Sequence, residues 1–166
     1  LPTPLPLACL LFFVRVPLDP HLSYSSAASD VFRSQLAKAL PCFGKARPEL
    51  LGCGTYFVAE NADGLIIGAG GWTDVSPTRG LGNLGEGHMP HVAVDPRYLR
   101  RGIGRRLAQA AFESAQASGV HALRCMSTLT AEAFYGSLGC TSIQTIELTL
   151  EPGLFFPAVE MRRSLH

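Results

Sequence analysis

Apolar positions repeat with a period of two in some stretches and near 3.6 in others, and turn residues separate them. Residues 7–14 (LACLLFFV) form an apolar run of eight, and a first strand is expected over residues 10–16. A Ser/Ala-rich turn leads to residues 30–40, where Phe32, Leu36, Ala39 and Leu40 fall at helical spacing until Pro41 stops the pattern. Strands are expected over residues 55–60 and 65–73, paired antiparallel through Asn61-Ala62-Asp63-Gly64. Residues 74–87 carry Gly80, Gly82, Gly85 and Gly87 and too few periodic apolar residues for an element, which predicts a mobile loop. A strand over residues 88–94 ends at Asp95-Pro96, because proline removes a donor and restricts its predecessor. The helix predicted over residues 102–118 sets Ile103, Leu107, Ala110, Ala111 and Ala115 on one face, with Gly119 as C-cap. A strand over residues 123–127 follows. Next comes a helix capped by Thr130, carrying Glu132 in its first turn and running through Leu138 to Gly139. Strands over residues 142–150 and 158–163 close the chain. The order β-α-β-β-β-α-β-α-β-β mixes hairpins with crossovers and predicts an α/β sheet with both parallel and antiparallel pairs.

Composition narrows the class. The 166 residues are 47% apolar and 16% charged, which suits a single domain over residues 1–166 with a sizeable core and excludes a disordered or fibrous chain. Residues 1–9 are expected outside its ordered part, and the lack of an initial Met leaves the native start open. Eight apolar residues are too few to span a bilayer, no basic stretch precedes them, and no A-x-A-like cleavage site follows, so an export signal is not expected. Fourteen Lys and Arg against thirteen Asp and Glu leave a net charge of +1, with no overall field to draw nucleic acid or an anionic membrane. Cys9, Cys42, Cys53, Cys125 and Cys140 include no CxxC pair. Reduced thiols in a cytoplasmic protein are expected, without a disulfide framework or a Cys-rich zinc site.

The densest chemical signal is the run from Val92-Ala93-Val94-Asp95-Pro96 through Arg100-Arg101-Gly102-Ile103-Gly104-Arg105-Arg106. A strand turns into a helix opened by glycines, whose first N–H groups lack intrahelical partners and whose dipole places partial positive charge there. Four arginines add cations suited to a ligand with several negative charges. A bare Gly-x-Gly is also compatible with a tight helix entry alone. A Walker A loop would need Gly-Lys-Ser/Thr, but Arg105-Arg106 follows Gly104. The dinucleotide fingerprint would need glycine where Leu107 stands.

With its neighbours, this stretch resembles the acyl-CoA-binding motif of the GCN5-related N-acetyltransferase (GNAT) family, hydrophobic-x-Val-x-Pro and then Gln/Arg-x-x-Gly-x-Gly/Ala opening a helix. Downstream, Ala131-Glu132-Ala133-Phe134-Tyr135-Gly136-Ser137-Leu138-Gly139-Cys140 is similar to the family's A-x-x-F-Y-x-x-x-G-F. The resemblance is sharp over residues 88–140. It departs at Leu99 (usually Gln/Arg), at Thr128 (often an Asn contacting the CoA arm) and at Cys140 (usually Phe). It implies a mixed central sheet flanked by helices, with the family's fourth and fifth strands splayed apart. Acetyl-CoA is the implied cosubstrate, held by Val92, Ala93, Val94, Arg100, Arg101, Gly102, Ile103, Gly104, Arg105 and Thr128, with no metal. The implied reaction is acetyl transfer to a primary amine of a small molecule or peptide, by direct attack in a ternary complex. A catalytically silent acyl-CoA-binding or sensing module on the same fold is the alternative. Acetyl-CoA and an amine acceptor are the expected partners, and a homodimer stays open.

A lysine-like amine, with a pKa of about 10.4, must be deprotonated before it attacks. By the resemblance, Tyr135 lies near the thioester sulfur and protonates the leaving thiolate; otherwise it packs beside Phe134. On a regular strand Glu86, His88, Val92 and Val94 share a face and His91 takes the other. His88 falls where many family members carry an acidic base and, at an ordinary pKa of about 6.5, would accept a proton at neutral pH; Glu86 is the second candidate. Trp72 either lines the acceptor side or belongs to the core. No G-x-S-x-G elbow supports a serine triad, and His88 and His91 on opposite faces would not share a metal.

Overall fold

The computed structural model describes residues 55–76, 80–81 and 85–166. The strand expected over residues 10–16, the helix over residues 30–40 and the status of residues 1–9 lie outside these. Strands β1 (Tyr56–Glu60) and β2 (Ile66–Gly71) pair antiparallel as expected, from Tyr56 opposite Gly71 to Glu60 opposite Ile66. The Asn61 carboxamide oxygen fixes their turn by accepting the N–H groups of Asp63 (3.0 Å) and Leu65 (2.9 Å). Two-residue strands β3 (Val75–Ser76) and β4 (Gly80–Leu81) pair within the segment expected to hold no element; pieces so short carry no periodicity to detect.

The strand expected over residues 88–94 is broken. Its first part, β5 (Glu86–Met89), runs parallel to β7 (Ala122–Thr128) as far as Met89 opposite Cys125. Its second part, β6 (Val92–Val94), pairs antiparallel with β2 in a different sheet. Thr73 bridges His88 while Gly70 pairs with Val92, so Met89, Pro90 and His91 stand opposite only Trp72 and Gly71. This is a β-bulge, located where Pro90 has no N–H for a ladder. The extra residue resets the alternation of side chains. Val92 and Val94 therefore join Met89 in the core, and the shared face expected for His88, Val92 and Val94 does not form.

Strands β8 (Thr141–Glu151) and β9 (Leu154–Ser164) form an antiparallel pair, longer than expected, in a sheet of order β5-β7-β9-β8. Helix α1 (Ile103–Ala117) packs Leu107, Ala108, Ala111, Phe112 and Ala115 onto the sheets, so Ala108 and Phe112 take the place expected for Ala110. Gly68 lets it approach: a Cβ there would lie 3.1 Å from both Ile103 Cγ2 and Leu107 Cδ1. Helix α2 (Glu132–Gly136) is shorter than the pattern over residues 130–138. Its N-cap is Ala131, and the Thr130 hydroxyl bonds Thr128 Oγ1 (3.1 Å) instead of capping. Both helices stop in the same way. Val120 and Gly119 donate to the carbonyls of Ala115 and Gln116, and Cys140 and Gly139 donate to those of Tyr135 and Gly136. Gly119 and Gly139 adopt the left-handed φ of +80° and +84° that this closure needs.

Candidate active site

The start of α1 has the geometry and charge that suit an anion. Arg100 (φ 64°) and Gly102 (φ 78°) are both left-handed, which turns the chain sharply from the Pro96–Tyr98 helical turn into α1. Gly102, the N-cap, supplies no side-chain cap, and no acidic residue stands in the first turn, so the first N–H groups of the helix remain available. A Cβ on Gly102 would meet nothing within 4 Å, so the space in front of it is open. Arg101 stacks over the Tyr98 ring (5.1 Å to the centroid), and Arg105 reaches Ser137 Oγ (3.2 Å) at the end of α2. Among the described residues, Arg100, Arg101, Arg105 and Arg106 make no ion pair with a carboxylate. This donor set fits a polyphosphate such as that of an acyl-CoA.

Val92 is 1% exposed and Val94 4%, so these residues can offer a ligand only backbone. The Asp95 N–H donates to the Ile67 carbonyl (2.8 Å), so the bonded pairs of this ladder are Asp95/Ile67 and, two residues on, Ala93/Ala69. The N–H and C=O groups of Val92 and Val94 therefore point away from β2, toward the side where pairing with β7 has ended. Thr128, half-buried, ends β7.

Tyr135 projects from α2 into the core cluster, 6% exposed, with Phe134 edge-on to it at 5.1 Å. Burial pushes its phenol above the ordinary value, and Cys125, Cys140 and Tyr56 act in the same direction. The buried Cys125 and Cys140 thiols act on each other, and that interaction together with burial pushes Cys125 up.

On the opposite face of the sheet, neither expected base is placed as an ordinary one. Glu86 accepts from Arg124 Nε (2.8 Å) and Arg162 Nε (3.2 Å), so both its oxygens are engaged. Arg124 also donates from Nη1 to Glu160 (2.9 Å), whose other oxygen accepts from Gln144 Nε2 (2.7 Å), and the network thereby ties four strands together. His88 is 6% exposed, and burial lowers its pKa to about 4, with Glu160 opposing. Shut away from solvent, His88 is not the accessible base expected there. Because unfolded His88 takes up its proton near pH 6.5 and the folded side chain only near 4, stability should fall as pH drops through this window, by about 3 kcal/mol. His88→Gln should make that part of the pH dependence in urea unfolding about half as steep, because His91 titrates in the same window; an unchanged slope would deny the effect.

Trp72 is 6% exposed and belongs to the core, its indole N–H donating to Ser114 Oγ on α1 (3.1 Å). The core alternative is therefore the one its surroundings favour. The sequence did not point to Tyr56, whose hydroxyl bonds His91 Nε2, with the two rings edge-on at 5.4 Å. Burial lowers the His91 pKa to about 4 as well. Among the described residues, no cluster of His, Cys, Asp or Glu could hold a metal ion, and no helix is long and apolar enough to cross a membrane.

Residues 52–139, just over half of the chain, match the acetyltransferase (GNAT) domain, and the chain belongs to that family. Solved structures agree in fold. A GCN5-related N-acetyltransferase from Kribbella flavida is 23% identical, with TM-score 0.53 over 66% of this chain and 67% of its own. A ribosomal-protein-alanine N-acetyltransferase from Brucella melitensis is 20% identical, with TM-score 0.56 over 82% and 78%. Rv2747 from Mycobacterium tuberculosis, solved in complex with CoA and NLQ, is 17% identical, with TM-score 0.53 over 79% and 82%. No curated protein matches the chain.

Proposed function

We propose that this protein transfers the acetyl group of acetyl-CoA to a primary amine of a small molecule or peptide, by direct attack while both substrates are bound. Membership in the GNAT family supports acyl transfer from acetyl-CoA in general. The observation that carries the finer reading is the arginine-lined start of α1 lying next to β6, whose Val92 and Val94 backbone groups face away from β2 on the side where pairing with β7 has ended. The pyrophosphate would rest on the N–H groups of residues 102–105, flanked by Arg100, Arg101 and Arg105. Val92 and Val94 would offer backbone to the pantetheine arm, with Ala93, whose own backbone pairs with Ala69, between them and Thr128 at the far side. Acetyl-CoA supplies the thioester. Tyr135 then holds the departing sulfur, and side-by-side binding supplies much of the rate.

The test is release of free CoA, followed with a thiol reagent, over a panel of alkylamines, arylamines and peptides with free N-termini. Turnover with at least one amine supports the reading. Acetyl-CoA binding, seen as a thermal shift, without turnover of any amine would point to the silent module. In the same assay Arg100→Ala/Arg101→Ala should weaken acetyl-CoA binding about 10- to 100-fold and reduce its salt dependence, because these contacts are charge-assisted. Unchanged affinity in the folded double variant would remove the pair from the site.

A further inference from the structure

The bulge at Pro90 and His91 brings together two side chains that a regular strand would keep apart. With three residues opposite two, His91 comes to the face that carries His88, while Val92 turns into the core. Tyr56 pairs with Gly71, and Phe57, its neighbour, packs on the core side, so Tyr56 also lies on the His91 face. Gly71 leaves the Tyr56 ring its place: a Cβ there would come 2.8 Å from Tyr56 Cδ2. The Tyr56 hydroxyl and His91 Nε2 are hydrogen-bonded, and both residues keep partial exposure where His88 is shut away. The pair stands where the chain leaves β7 for β2, and Tyr56 is near enough to Tyr135 for the charge of one to affect the other.

We propose that Tyr56 and His91 form the proton relay for the acceptor amine, with Tyr56 the catalytic residue that touches the nitrogen and His91 the group that acts through it. This rests on the acetyltransferase reading above. The nitrogen lone pair of the neutral amine forms the C–N bond to the thioester carbonyl, and its N–H becomes acidic as it does. That proton passes to Tyr56 Oη while the Tyr56 proton passes to His91 Nε2. The C–S bond then breaks, and sulfur leaves with the electron pair, accepts a hydrogen bond from Tyr135 and takes a proton from water. His91 returns its proton to water, so the amide and free CoA are the net products. A neutral imidazole is required to start the cycle. His91 meets this condition at neutral pH, since burial has lowered its pKa to about 4. The same shift makes it a weak base that holds the proton only in passing and gives it up to water as the C–S bond breaks.

The experiment compares wild type, Tyr56→Phe and His91→Gln, using whichever alkylamine, arylamine or peptide of the panel is turned over. His91→Gln can still accept the Tyr56 hydrogen bond but cannot carry the proton, so it separates relay from positioning. Both variants should keep the acetyl-CoA thermal shift and its KM and lose about 100-fold or more in kcat. A His91→Gln enzyme within threefold of wild type would overturn the relay. Should either variant fail to fold, the wild-type rate in mixtures of light and heavy water decides instead. Two protons in flight give a curve bowed below the straight line, and a straight line or no isotope effect rejects the proposal. Wild-type protein that binds acetyl-CoA but turns over no amine would refute the acetyltransferase reading itself, and the relay with it.

Discussion

Arg124→Met is expected to destabilise the fold by about 2 kcal/mol, below the range for a fully buried ion pair because 27% of the Arg124 side chain stays exposed. Arg124 lies mid-strand in β7, bonded to Glu86 on β5 and to Glu160 on β9. Methionine matches its stem but leaves two carboxylates facing each other across it, one of them still held by Arg162 and the other by Gln144. The cost is thus chiefly that of the abandoned charges, not of lost packing. Adding Glu160→Gln should restore a good part of the stability, because one of those charges is then gone. Urea unfolding reads both effects, since Trp72, the single tryptophan, is buried in the core and reports its opening. A loss under about 0.5 kcal/mol, the range of ordinary surface changes, would mean the network is worth no more than exposed ion pairs.

Tyr135→Phe should lower kcat about 10²–10³-fold while leaving acetyl-CoA affinity nearly unchanged. Only the hydroxyl is removed, and the edge-on contact with Phe134 survives with a phenyl ring. A proton donor to the thiolate would fit a phenol near its ordinary pKa of about 10 only marginally, since a thiol sits near 8.5. Burial moves Tyr135 further up, so in the proposed reaction full proton transfer to sulfur would be uphill and the hydroxyl would stabilise the leaving thiolate as a hydrogen-bond donor. The rate with Tyr135→Phe should therefore fall by a similar factor at every pH where the wild type works. Wild-type turnover in this variant would remove Tyr135 from the reaction.

The sequence made the motifs legible because they are local. The arginine-glycine turn and the Phe134-Tyr135 helix each lie within one strand-to-helix step, and the structure builds both where the chain order put them. Strand pairing by β1 and β2 was legible for the same reason, through an Asp-Gly turn that closes over four residues. What failed was whatever depends on a partner far away in sequence. The face of His88 relative to Val92 turns on a one-residue mismatch with β2, and strict alternation cannot register it, although Pro90 inside an expected strand was a usable warning. Glu86 resembled a free carboxylate until Arg124 and Arg162, 38 and 76 residues away, came to lie beside it. Tyr56 carried no signal, because its meaning comes from His91, 35 residues away.

The glycine closures after α1 and α2 bear on how this half of the molecule can vary over evolutionary time. Only residues 118–121 separate α1 from β7, and only residues 137–140 separate α2 from β8. The first connector is tied at both ends by backbone bonds, Ser118 and Val120 back to α1 and His121 to the Gly85 carbonyl, and the second is tied back to α2 by the N–H groups of Ser137, Leu138, Gly139 and Cys140. An insertion of one residue ahead of β7 would rotate its side chains by half a period, sending Arg124 toward α1 and Cys125 toward the carboxylates. These two connectors therefore work as phase locks, and length variation among functional sequences should be scarce in them. The turn at residues 61–65 is also held by Asn61, but its tip, residues 62–64, is exposed and sets the phase of no strand in the sheet that holds β7 and β8, so it is the place where added residues would be absorbed.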